Sequence, residues 1–142
     1  EIVMKLKSRS CATCGASGMT HDHRDVSRVF EGVTIRIAGV KGWFCPVCNE
    51  VEFDTPTAAR KFFDDVKIQQ DEIRKQRAAE VKAIRKQLKL TQRQAAELLG
   101  GGINAFSEYE RGVTRPARPT LLLLHLLSRH PELLQEIRRE AA

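Results

Sequence analysis

The sequence has no apolar run long enough to cross a bilayer. The longest, residues 121–127, is broken by His125 and falls far short of the roughly 20 residues a membrane helix needs. Residues 1–10 mix charges with single apolar side chains and lack the apolar block and cleavage signature of a secretory leader. A phosphate-cradling P-loop is missing as well: Gly100-Gly101-Gly102 leads into Ile103-Asn104 rather than Lys-Ser/Thr, and no strand pattern precedes it. No nucleophile triad or paired-carboxylate site stands out. Internal repeats and low-complexity tracts are absent apart from a doubled cysteine motif and the leucine run. These absences exclude a membrane span and lead us to expect a cytoplasmic protein that is not an enzyme.

At 142 residues the chain has room for one domain or two small ones. Its 42% hydrophobic and 30% charged residues are those of an ordinary globular protein, neither disordered nor collagen-like. The net charge is +6 and the pI about 9.4, which favours polyanions as partners. The excess is uneven: residues 1–70 carry a net +1 and residues 71–142 a net +5. Solubility accounts for such an asymmetry as readily as nucleic-acid binding does.

All four cysteines lie in the first half, as Cys11-Ala-Thr-Cys14 and Cys45-Pro-Val-Cys48, followed by the turn formers Gly15 and Asn49. A C-x-x-C loop turns tightly enough to aim two sulfurs at one point, and two such loops supply the four thiolates of tetrahedral zinc at about 2.3 Å. Two disulfides are the competing reading, disfavoured in a reducing compartment. An iron–sulfur cluster also remains open. A thioredoxin-like role lacks its βαβ setting. His21 and His23 are close enough to replace a cysteine, but four thiolates leave them as surface histidines. We therefore expect one Zn2+ per chain, structural because no coordination position is left for water.

Thirty residues separate Cys14 from Cys45. Val33, Ile35 and Ile37 alternate with polar residues, and Glu31-Gly32 makes a turn after Val29-Phe30, which predicts a β-hairpin. Thr55 and Pro56 open a helix with Ala59, Phe62, Phe63 and Val66 on one face, and the two phenylalanines read as core. After Ile68 and through Arg77 a single apolar residue, Ile73, remains, so the segment buries no face. This gives a first domain over 1–68, a linker over 69–78, either flexible or helical, and a second domain over 79–142.

The second domain reads as five helices: 79–90, 92–99 capped by Thr91, 103–111, about 120–128, and 132–139 opened by Pro131. The triple glycine separates the second from the third, the layout that presents a helix to the major groove. In the third segment Ile103, Phe106 and Tyr109 face inward, whereas Asn104, Ser107, Glu108 and Arg111 share the outer face. Asn pairs bidentately with adenine, Glu accepts from cytosine, and Ser and Arg hold phosphates or, for Arg, guanine. Gln92, at the start of the preceding helix, completes the candidate DNA-contacting set. A bundle whose polar face is merely wet is the competing reading. Ala95 and Ala96 are small enough to let the second and third helices cross closely. The fourth helix has more apolar surface than it can bury internally, which marks it as a dimer contact.

Both C-x-x-C pairs, the segment Leu90-Thr91-Gln92-Arg93-Gln94-Ala95-Ala96-Glu97, the string from Gly100 to Ser107, Tyr109-Glu110-Arg111-Gly112 and His130-Pro131-Glu132-Leu133-Leu134 together resemble the MqsA (YgiT-type) antitoxins. These join a zinc domain to a helix-turn-helix of the Cro/repressor (XRE) class. The resemblance implies an α+β protein in which a small zinc-bound β-hairpin/α domain precedes an all-α helix-turn-helix domain. It implies that the cysteines bind zinc and that the first domain holds a cognate toxin, typically an mRNA-cleaving ribonuclease. It further implies that the second domain dimerises on an operator palindrome and represses the toxin–antitoxin operon. One position departs from the family's pattern. Glu108 stands where better-known members carry Arg, while the base-reading Asn is retained as Asn104; a carboxylate either reassigns one base pair or leaves the groove. A stand-alone zinc-containing repressor without a toxin is the alternative.

Overall fold

The elements follow in the order β1 (Thr20–Phe30), β2 (Val33–Phe44), β3 (Val51–Phe53), α1 (Pro56–Gln87), α2 (Gln92–Leu99), α3 (Ala105–Glu110), α4 (Arg118–Arg129) and α5 (Leu134–Glu140), with a 3-10 turn at Pro131–Leu133 ahead of α5. The computed structural model describes residues 8–142. The fold class is α+β: an antiparallel sheet in the order β1-β2-β3, then helices. The chain divides into two units, one ending at Gln70 and the other starting at Asp71. Among the described residues no helix is long and apolar enough to cross a membrane.

In the first unit the expected hairpin is present and gains a third strand. Phe30 pairs with Val33 across Glu31-Gly32, whose φ angles of 51° and 81° are those of a two-residue turn with the twist a hairpin needs. A register shift between Arg24 and Val26 changes which residues of β2 face inward. Before it Ile35 and Ile37 are buried; after it Val40 and Phe44 are. The period of two thus survives but moves by one residue, as an extra residue in a strand requires. Asp25 occupies the shift, where it accepts the Gly39 N–H at 2.9 Å and pairs with Arg36. β3 pairs with β2 through Gly42↔Phe53, Trp43↔Glu52 and Phe44↔Val51. A Cβ on Gly42 would lie 2.5 Å from the Glu52 carbonyl oxygen, so a close approach of β3 depends on glycine there.

Two expectations for this unit are corrected. Val33 is 46% exposed, because it sits at the turn end of β2, outside the buried stretch. Phe62 is buried but Phe63 is 62% exposed. Neighbouring residues of a helix point about 100° apart, so only one can lie over the sheet; Phe63 keeps edge contacts with Phe53 and Phe62 at 5.9 and 5.4 Å.

The helix after β3 begins as expected, with the Ala58 N–H donating to Thr55 Oγ1 at 3.1 Å. It does not stop near Val66. The polar segment 69–78 is helical, and α1 continues to Gln87; nothing in that segment breaks a helix, and it contains neither Gly nor Pro. The helices expected before and after it are therefore one.

In the second unit Val81, Ile84 and Leu88 of α1 pack with Ala95, Ala96 and Leu99 of α2, Ala105, Phe106 and Tyr109 of α3, Leu124 and Leu127 of α4, and Leu134 of α5. Phe106, Leu124 and Leu127 are fully buried, each contributing about 1.5–3 kcal/mol by transfer out of water. Thr91 caps α2 through a reciprocal pair with Gln94. The fourth helix starts two residues earlier than expected, with Pro119 inside its first turn, where a missing N–H costs nothing.

The leucine run is more internal than the sequence implied. Leu124 and Leu127 are at 0% exposure, Leu121 and Leu123 pack against the core, and only Leu122 and Leu126 stay exposed.

Candidate functional site

The two C-x-x-C loops are built alike. In each, the N–H of the first cysteine donates to the carbonyl five residues on: Cys11 to Ala16 at 2.8 Å, and Cys45 to Glu50 at 2.9 Å. The fifth residue of each loop takes a left-handed conformation, Gly15 at φ 74° and Asn49 at φ 58°, which Gly and Asn tolerate best. The first loop closes on a Ser10↔Ser17 bridge; the second joins β2 to β3. In each pair the first cysteine is buried and the second exposed.

The four sulfurs lie within 4.8 Å of one another. The closest pairs cross between loops, Cys11 to Cys48 at 3.7 Å and Cys14 to Cys45 at 3.6 Å, and all four are thiols rather than disulfides. A tetrahedron of sulfurs about 2.3 Å from a central ion has edges of about 3.8 Å, so the donor set fits a tetrahedral metal. Its acid–base character fits too. The Cys45 thiol is drawn down to about 7 by the backbone N–H groups of Cys48 and Val47. Cys48 has the Glu50 N–H in its favour, yet desolvation and the sulfurs around it push it up to about 12. Four sulfurs in contact do not all ionise unless a cation shares the site.

Glu52 fixes the first loop. Its Oε1 accepts the Ala12 N–H at 2.9 Å, and its Oε2 accepts from Arg9 Nε and Nη2 at 2.9 and 2.6 Å. The Ala12 bond, then the Arg9 bond, holds its carboxyl below the ordinary value. Trp43, Met19 and Ala16 pack with Cys11 and Cys45. The two histidines stay out of the site: His21 Nε2 lies 2.9 Å from Asp54 Oδ1, and His23 Nε2 lies 2.7 Å from the Gly39 carbonyl. Among the described residues the four cysteines are the group that could hold a metal.

In the second unit α2 and α3 are joined through Gly100, Gly101 and Gly102, with φ of 83°, 100° and 90°. The resulting turn keeps Ile103 and Asn104 out of the helix, so α3 covers 105–110 rather than 103–111. Ile103, expected inward, is 71% exposed for that reason. Ala105, Phe106 and Tyr109 form the buried side. Asn104 sits at the N-cap position with no side-chain cap bond and is exposed, as are Gln92 and Arg111; Ser107 and Glu108 are half-buried. The five candidate residues differ in how committed they are. Glu108 Oε2 accepts the Thr114 hydroxyl at 2.8 Å, Arg111 Nε donates to the Ser107 carbonyl at 3.2 Å, and Gln92 Nε2 donates to Glu110 Oε2 at 3.3 Å.

That last contact leads to a group the sequence did not reveal. Arg85 of α1 forms a two-pronged pair with Glu110, Nε to Oε2 at 2.9 Å and Nη2 to Oε1 at 2.7 Å, and its Nη1 donates to the Leu90 carbonyl at 2.9 Å. The side chains are 12% and 4% exposed. The pair ties the end of α3 to α1, with Gln92 of α2 on the same carboxylate. Twenty-five residues separate the partners, and no local pattern marks them.

The sequence matches, over residues 9–138, the family described as the antitoxin component of a bacterial toxin–antitoxin system, MqsA. It is also 35% identical over 130 residues to the antitoxin MqsA of Escherichia coli (strain K12), an alignment that covers 90% of this chain and 98% of that protein.

Proposed function

This chain belongs to the MqsA family of antitoxins, and from that premise we propose that it neutralises a cognate ribonuclease toxin and, as a dimer, represses its own operon. The observation that carries the reading is the likeness across 98% of the Escherichia coli antitoxin, because it spans both units. Residues 1–68 hold the toxin, 79–142 read DNA, and 69–78 connect them. The metal is zinc, one per chain: four thiolates in a closed tetrahedral set suit a soft-accepting d10 ion and leave no position for a reacting water. Its work is structural, and the protein is not an enzyme. It acts in the cytoplasm, where both an mRNA-cleaving toxin and a promoter are met.

The operator is a palindrome read in the major groove from Gln92, Asn104, Ser107, Glu108 and Arg111. Asn104 reads a base, since it is exposed and makes no capping bond. Glu108, held by Thr114, is the position at which the operator departs from those of Arg-bearing relatives. Leu122 and Leu126, one turn apart and 57% and 40% exposed, form the apolar centre of the dimer contact. A two-fold dimer sets its α3 helices about one DNA turn, roughly 34 Å, apart.

Two measurements test this. Co-expression with the product of the neighbouring gene is expected to give a stable complex; a ribonuclease-free neighbourhood and no complex would leave a stand-alone repressor. Asn104→Ala is expected to lose about 1–3 kcal/mol of operator binding with thermal stability unchanged. Unchanged operator affinity would refute the assignment of α3.

A further inference from the structure

The second unit carries a basic cleft of which the reading above uses Arg111 but neither lysine. It is open, about 460 Å³, and runs between α1 from Asp71 to Lys82 and the chain leaving α3 at Arg111 and Gly112. Lys75, Ala78 and Lys82 recur at helical spacing and share one face of α1. The small Ala78 leaves the floor low between the two lysines, and Arg111 stands on the opposite wall.

Two carboxylates also line the cleft, and neither neutralises those cations. Asp71 Oδ1 accepts from Arg74 Nη1 at 3.2 Å, and Glu110 is turned inward onto Arg85. Among the described residues neither Lys75 nor Lys82 has an ion-pair partner.

The shape of the charge is informative. Lys75 and Lys82 are seven residues apart, about 10 Å along a helix that rises about 1.5 Å per residue. That is a row of cations rather than a point, and a row suits a strand of phosphates better than one small anion. Arg111, which lines the same cleft, directly follows α3.

We propose that the cleft lined by Lys75, Lys82 and Arg111 seats the phosphate backbone of DNA beside the bases that α3 reads, supplying affinity without sequence preference. The proposal rests on the DNA-binding reading above, and its test separates the two. Each phosphate neutralised adds about 0.9 to the slope of log K against log salt. In the full-length protein, the exposed pair Lys75→Gln/Lys82→Gln is expected to flatten that slope by about 1 to 2. Operator and random duplex should weaken by the same factor. Arg138→Gln/Arg139→Gln removes the same charge from α5, away from the cleft, and should leave the slope in place.

An unchanged slope in the cleft variant, with the wild-type protein binding its operator normally, overturns the cleft and leaves the DNA reader standing. Equal flattening in both variants overturns it in favour of net charge. Calorimetry with inorganic phosphate alone covers the other source of the same oxyanion. Saturable binding that the cleft variant loses, with its DNA slope unchanged, would make this a free-phosphate site and overturn the proposal. Wild-type protein that binds neither duplex overturns both readings at once.

Discussion

Glu52 braces the cysteine cluster without belonging to it. It holds the backbone of Ala12, between Cys11 and Cys14, and anchors Arg9, so it sets where one loop stands relative to the other. Folding lowers its pKa from an ordinary value near 4.5. Its stabilisation is therefore present above that value and is lost as pH falls through the folded pKa. Glu52→Gln is expected to be less stable than wild type at neutral pH, with the difference shrinking as urea midpoints are followed into acid. A constant difference across that range would remove the carboxylate from this role. The cysteines were legible because ligand spacing within each loop is local; Glu52 was not, because its partners lie 40 and 43 residues away. The candidate DNA contacts were named from helical phase and side-chain chemistry, and the sequence carried no sign that Thr114 and Glu110 bond two of them.

At the scale of the element, turns and caps were the readable part. Glu31-Gly32, Thr55-Pro56 and Thr91 each mark a boundary that the backbone follows. The glycine turn holds more than its sequence says. A Cβ on Gly101 would lie 2.7 Å from the Tyr109 hydroxyl and 2.9 Å from Ala105 Cβ, whereas Gly102 has open space. Gly102→Ala is expected to cost about 1–2 kcal/mol through its left-handed backbone alone. Gly101→Ala adds an overpacking cost of about 1–3 kcal/mol, so denaturant midpoints should rank the second variant well below the first. The Arg85–Glu110 pair gives a second contrast. Glu110→Ala leaves a largely buried guanidinium unpaired and is expected to cost about 3–5 kcal/mol. Glu97→Ala breaks an exposed pair with Arg93 and should cost no more than about 1 kcal/mol. Similar melting temperatures for the two would show that the buried pair does not hold α3. Where helical phase misled, as at Ile103 and Phe63, the cause was an element boundary or a face narrower than the apolar pattern.

For the whole molecule, two cores of different kinds share one chain. The second unit packs Val81, Phe106, Leu124 and Leu127 into an apolar centre, while among the described residues Met19, Ala16 and Trp43 pack with the cysteines of the first. Chelating the metal is expected to shift the fluorescence of Trp43, the single tryptophan, and to release amide protection in β1–β3. Protection in α2–α4 should persist by hydrogen exchange, since that core contains no metal ligand. Loss of protection throughout would mean that the units do not hold their folds separately.

The sequence by itself determined the two C-x-x-C loops, the hairpin turn and the helix caps, because each depends on residues within a few positions of one another. Only the tertiary structure decided that the polar segment 69–78 continues a helix, that β2 changes phase at its bulge, and that Arg85 meets Glu110. Those outcomes depend on which distant surfaces come together and on how much water each contact excludes, and no local pattern encodes that.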